Sequence, residues 1–237
     1  MLTLSLSTAM VAAAGYIIND YYDVKIDTIN KPSRVVLGQV IKRRVALWGH
    51  ILLNAAALSM AFAISPIIFI IHFLAGFLLW LYSNRLKRMA LWGNLSIALL
   101  TSMAMLEVQL YFGGPFTLVF SFALFAFFIS LIREIVKDIE DRKGDKAFGC
   151  RTLPIIWGIR KTKRFLFWLT LAYIIIVVLI IYKASLTHLW LFFILVLILL
   201  IAFLVQLVRA DTTRHFARLS WYCKLIMLVG LIGMMLI

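Results

Sequence analysis

Acidic side chains are scarce in this sequence: ten Asp and Glu among 237 residues, against 24 Lys and Arg. Charge of either sign is sparse too, at 14% of residues, where soluble domains average about 25%. Cysteine is nearly absent. Cys150 and Cys223 fall in no metal-binding or redox spacing, so neither a disulfide framework nor a thiolate site is indicated. The apolar start lacks a basic leading region and a small-residue cleavage site, so it reads as a spanning helix rather than a signal peptide. What fills the chain instead is hydrocarbon: 64% hydrophobic residues and a mean hydropathy of +1.03. Apolar runs long enough to cross a bilayer recur from end to end, which excludes a soluble domain.

The expected fold is all-α, a polytopic membrane helix bundle forming a single domain over 1–237. Eight transmembrane helices are predicted, at 2–19, 45–64, 66–82, 90–111, 115–136, 165–182, 188–208 and 219–237. The net charge of +14 would suggest nucleic acid in a soluble protein. Here its placement points to membrane lipids and to no nucleic acid. Every Lys and Arg except Lys183 lies in or beside the connections after spans one, three, five and seven. The positive-inside rule places those connections in the cytoplasm of a cell with this protein in its inner membrane, and both chain ends outside.

The few carboxylates are not scattered. Asn19-Asp-Tyr-Tyr-Asp-Val-Lys-Ile-Asp27 puts Asp20, Asp23 and Asp27 directly after the first apolar run. The same Asp-x-x-Asp-x-x-x-Asp spacing returns 118 residues later at Asp138, Asp141 and Asp145, again where a span ends. At about 100° per residue, such a set occupies an arc of roughly 60° on a helix. Aligned carboxylates at a membrane face suit a hard divalent cation, and Mg²⁺ is normally shared with phosphate groups. Two Asp-rich cytoplasmic loops, at about 20–44 and 137–164, are therefore expected to hold a metal-diphosphate. Lys31, Arg34, Arg85 and Lys87 lie on the same face and could hold phosphate oxygens, and Tyr82 stands beside them. Each has an ordinary alternative as a lipid-facing anchor of a helix end. Glu107 lies inside a span and is a functional candidate or a bridge between helices. Asn54 and His72 read as helix–helix hydrogen bonds.

These residues carry a family resemblance. Asn19 to Asp27 with Asn30-Lys-Pro resembles the first aspartate motif of the UbiA superfamily of intramembrane prenyltransferases. Lys137-Asp-Ile-Glu-Asp-Arg-Lys-Gly-Asp145 with Gly149-Cys-Arg-Thr-Leu-Pro154 resembles the second. Tyr82-Ser83, Leu86-Lys87 and Gly93-Asn94 fit as well. The resemblance implies a nine-helix bundle of which this chain has eight, the first helix being the one missing. It implies Mg²⁺ bridging Asp20, Asp23, Asp27, Asp138, Asp141 and Asp145 to a prenyl diphosphate, with Asn19 orienting the first set.

The implied activity is Mg²⁺-dependent transfer of a prenyl group, geranylgeranyl by motif wording, to a lipid hydroxyl such as that of geranylgeranylglyceryl phosphate. Prenylation of an aromatic acceptor, and a non-catalytic truncated relic, stay open beside it. So do a transporter and a membrane scaffold.

Overall fold

The computed structural model describes residues 1–30, 36–113, 116–183 and 190–234. Among the described residues nine α-helices follow one another, with no strand and only two isolated bridges. They are α1 (Leu2–Asn30), α2 (Arg43–Ile64), α3 (Pro66–Asn84), α4 (Trp92–Phe112), α5 (Phe116–Ala147), α6 (Leu153–Ile156), α7 (Gly158–Lys183), α8 (Trp190–Arg209) and α9 (Thr213–Met234). A 3₁₀ turn, Leu86–Arg88, joins α3 to α4. All but α6 are long and apolar enough to cross a membrane, which gives the eight expected spans. The protein is an integral multi-pass membrane protein.

Two helices outrun the bilayer. About 20 residues cross the hydrocarbon, yet α1 has 29 and α5 has 32. Each continues for two to three turns past its apolar run, and those turns carry the aspartate motifs. The loops expected at 20–44 and 137–164 are therefore shorter than the sequence suggested: 20–30 and 137–147 are helical. The apolar runs end at 19 and 136, so the stretches beyond were expected as loops. The Asp-x-x-Asp-x-x-x-Asp spacing is a helical one, however, and the helices simply run on through it.

The chain packs as two compact units. The first comprises Met1–Ser96 with Lys143–Arg151. Its core is α1, α2 and α3, packed pairwise. Leu4, Ala61 and Ile68 meet at one end. Gly15 lets α3 approach α1 closely, since a Cβ there would sit 2.8 Å from Leu79. Polar side chains link the helices where water cannot: His50 Nδ1 donates to the Ala14 carbonyl at 2.9 Å, and His72 Nε2 lies 3.4 Å from Thr8 Oγ1. Asn54 bonds the His50 carbonyl at 3.0 Å. His72 thus serves the helix–helix role expected of it, whereas Asn54 bonds one turn back within α2 itself.

The second unit holds Ile97–Arg142 and Thr152–Ile237. Here α5 is the buried element, packed through aromatic rings. Phe128 stacks on Tyr173 of α7 with centroids 5.0 Å apart, and Phe122 meets Phe192 of α8 at 5.4 Å. Helix α9 closes on them with glycines. Gly230 lies against the Phe125 ring and Gly233 against Phe192, each too close for a Cβ. Small residues that let bulky rings seat are a common device of membrane helix packing, where lipid offers no hydrophobic drive.

Gly230→Val should therefore destabilise the protein in detergent by about 1–3 kcal/mol, read as a lowered thermal midpoint. Combining it with Phe125→Ala should recover part of the loss, because the two substitutions share one contact.

Candidate functional site

The first motif sits on the last three turns of α1. Asp20 is exposed, while Asp23 and Asp27 are half-buried. Asn19 and Asp23 are one turn apart, and Asn19 Nδ2 donates to Asp23 Oδ2 at 2.9 Å. The other oxygen of Asp23 takes the ammonium of Lys87, 2.6 Å away, and the same Nζ donates to Asn19 Oδ1 at 3.2 Å. Lys87 belongs to the 3₁₀ turn after α3, so three residues from two elements form one closed polar group. Its side chain is 10% exposed and that of Asp23 16%, so the pair is shielded from water. A carboxylate has about four acceptor sites. One bond to each oxygen leaves Asp23 able to take a further ligand.

Arg43 fixes the outer side of this helix end. Its guanidinium lies 4.4 Å over the Tyr21 ring and donates to the Tyr21 carbonyl at 3.2 Å.

The second motif lies on one continuous helix, α5, with Asp138, Asp141 and Asp145 all half-buried. Asp138 and Asp141 fall in the second unit. Asp145 falls in the first, at the end of α5, and the structure ties that end to α1. The backbone N–H of Gly144 donates to Asn30 Oδ1 at 2.8 Å. A Cβ on residue 144 would sit 2.5 Å from the Asn30 amide, so only glycine fits beneath it.

The helix then stops abruptly. Gly149 takes a φ of +69°, the left-handed conformation that favours glycine. The Cys150 amide reaches back to the Asp145 carbonyl at 2.9 Å, and the Gly149 amide to that of Lys146 at 3.3 Å. This is a Schellman cap. It turns the chain so that the Arg151 amide donates to the Arg88 carbonyl at 2.7 Å, one residue beyond Lys87. Cys150 is buried in the turn. Burial pushes its thiol above the ordinary range, the Asp145 carboxylate pushes it further and Asp23 adds to it, while Arg88 and Lys87 pull the other way. One residue of each aspartate motif therefore acts on the same buried thiol.

The remaining expected site residues are placed as follows. Tyr82 is half-buried on the last turn of α3, and Arg85 is exposed at its end. Lys31 and Arg34 lie outside the described residues. Glu107 is buried within α4, in the second unit, and Asn94 is buried near the start of that helix, in the first. Among the described residues no three His, Cys, Asp or Glu are placed to hold a metal ion by themselves. The donor chemistry still suits Mg²⁺, which keeps water and phosphate ligands and uses only one or two carboxylates rather than an all-protein cage. Missed from the sequence were the roles of Asn30 and Gly144. The only signal was an Asn at the end of one motif and a Gly inside the other.

The family pattern described as UbiA prenyltransferase family matches residues 1–230. A digeranylgeranylglyceryl phosphate synthase of Thermococcus gammatolerans is 40% identical over 156 residues, 66% of this chain and 56% of that protein. One of Methanosarcina mazei is 42% identical over 154 residues, 64% of this chain and 53% of that protein. The matched part thus spans about half the length of these curated relatives. Among solved structures, one described as a digeranylgeranylglyceryl phosphate synthase in membranes superposes with a TM-score of 0.72 at 29% identity. It covers 98% of this chain and 83% of the other. A UbiA homolog from Archaeoglobus fulgidus, bound to GPP and Mg²⁺, has the same fold, with a TM-score of 0.74 at 19% identity over 98% and 86%.

Asn30→Ala should release the end of α5. The amides of 144–151 are expected to exchange with solvent about threefold to tenfold faster, the worth of one hydrogen bond. Those of α8, in the other unit, should be unchanged. Equal acceleration in both would mean general loosening.

Proposed function

The chain belongs to the UbiA prenyltransferase family, and on that premise we propose that it transfers a prenyl group, geranylgeranyl, from its diphosphate to the free hydroxyl of a lipid such as geranylgeranylglyceryl phosphate. The observation that carries this reading is the polar group at the end of α1. There Asp23 is held by Lys87 and Asn19, and the Asp145 end of α5 is hydrogen-bonded to the same helix end through Asn30. The digeranylgeranylglyceryl phosphate synthases that the chain resembles support the choice of prenyl group and acceptor. The charge bias of the connections supports a cytoplasmic site.

The reaction breaks the bond between the allylic carbon and the diphosphate oxygen. Diphosphate leaves with the electron pair, the acceptor oxygen bonds to the carbon, and the hydroxyl proton is released. Asp20, Asp23 and Asp27, with Asp138, Asp141 and Asp145, would hold Mg²⁺ against the diphosphate. Mg²⁺ would supply the positive charge that stabilises the leaving group as its own charge grows. Asn19 and Lys87 fix the carboxylate of Asp23, so that it does not have to reorganise as the reaction proceeds. Lys87 is also the cation best placed to follow the phosphate, since it already lies at the metal-binding carboxylate. Arg85, at the same turn, and Lys31 and Arg34 complete the set of candidate phosphate ligands, with Tyr82 beside them. The membrane-embedded helices keep bulk water from the allyl cation.

The test is an assay in reconstituted membranes with geranylgeranyl diphosphate, Mg²⁺ and either geranylgeranylglyceryl phosphate or an aromatic acid, products identified by mass. An ether-lipid product is expected. Asp23→Ala and Asp141→Ala should each lower Mg²⁺-dependent turnover by at least about a hundredfold, while the protein stays folded in the membrane. Turnover near that of the unaltered protein in either variant would refute the metal role. An aromatic product would replace the acceptor.

A further inference from the structure

The cytoplasmic start of α7 carries a groove that the proposed reaction does not use. It has a volume of about 400 Å³ and is lined by Trp157, Lys161, Arg164, Phe165 and Trp168, all in the second unit. Positions 161, 164, 165 and 168 are spaced to share one helix face. Trp157 precedes the helix and meets Phe165 edge-on with centroids 5.6 Å apart. Because α7 is a membrane-spanning helix, a groove of this composition at its end sits at the headgroup level, where aromatic and basic side chains are favoured.

Two features separate it from an ordinary aromatic belt. The first is the charge arrangement. Arg160, Lys161, Lys163 and Arg164 crowd the first two turns of α7, whose opening turn has no acid. Cations at that end oppose the helix dipole. Lys163 is accounted for, since it donates to the Ala210 carbonyl at 2.6 Å and pairs with Asp211 at 3.1 Å. The side chains of Lys161 and Arg164 make no ion pair or hydrogen bond among the described residues. The second feature is the wall: Trp157 and Trp168 remain 41% and 59% exposed, so rings and unpaired cations line one concave surface.

We propose that this groove binds the headgroup of an anionic glycerophospholipid from the surrounding leaflet. Arg164 and Lys161 hold the phosphate, Arg as a fork and Lys as a point charge. Trp157, Phe165 and Trp168 take the glycerol and the first methylenes of the acyl chains. A soluble anion would leave the three rings unused. A zwitterionic lipid would bring its own ammonium against two cations, so a net negative headgroup is selected. This site is independent of prenyl transfer and is read without it.

The protein is reconstituted in nanodiscs of equal parts phosphatidylcholine and phosphatidylglycerol, then released for native mass spectrometry, with bound lipid counted per folded chain. The unaltered protein should retain one phosphatidylglycerol, favoured over phosphatidylcholine by roughly tenfold or more. Lys161→Gln/Arg164→Gln should lose that preference. Arg214→Gln/Arg218→Gln, which removes equal charge from the exposed start of α9, should keep it. No preference in the unaltered protein, equal loss in both double variants, or displacement of the lipid by inorganic phosphate would each overturn the proposal.

Discussion

One hydrogen bond, from the Gly144 amide to Asn30, joins the end of α1 to the end of α5. Both helices extend past the hydrocarbon, and a helix end projecting from a membrane has nothing of its own to fix its direction. The contact joins two ends that are already rigid: α1 is braced by α2 and α3, and α5 is closed by its Schellman cap. The cap matters as much as the bond. Without the left-handed turn at Gly149, the Arg151 amide would not reach the Arg88 carbonyl, and the segment carrying Lys87 would lose its second attachment. Glycine at 144 and at 149 answers two different demands, close approach in one case and backbone conformation in the other.

Lys87 shows how a residue can be placed correctly and described incompletely. From the sequence it was a cation on the right face, free to reach phosphate. In the structure its ammonium is shared between Asp23 and Asn19. The two descriptions are compatible. A lysine with three donors can hold a carboxylate in place and still offer charge to a neighbouring anion. Its burial makes the arrangement stiff, since loss of the ammonium would leave Asp23 shielded from water with its charge uncompensated.

The fold was legible because hydrocarbon leaves few choices. Runs such as 66–82 and 188–208 have one stable form in a bilayer, a helix with every backbone group bonded internally. Their number and order followed directly. The ends did not. At 20–30 and 137–147 the end of the apolar run indicated a loop while the aspartate spacing indicated helix, and the helix ran on because it was already nucleated by the span before it. The division into two units and the Asn30 contact were invisible, since both depend on which helices meet. His72 was assigned correctly for a general reason: a lone polar group inside a membrane bundle must find a partner, and Thr8 on α1 lies beside it.

The same shortage of water explains where the charges stand. An isolated carboxylate cannot remain ionised in hydrocarbon without a partner. Both aspartate motifs accordingly stand where α1 and α5 run past their apolar stretches, and Glu107, inside α4, is a buried exception. Carboxylates at such helix ends are held in place from within the protein, because solvent there competes for every donor. In this chain the bracing comes from Asn19, Lys87 and Asn30 around Asp23 and the Asp145 end of α5. Long apolar helices thus do two things at once. They anchor the protein, and they carry a polar set of helix ends to the plane where hydrocarbon gives way to water.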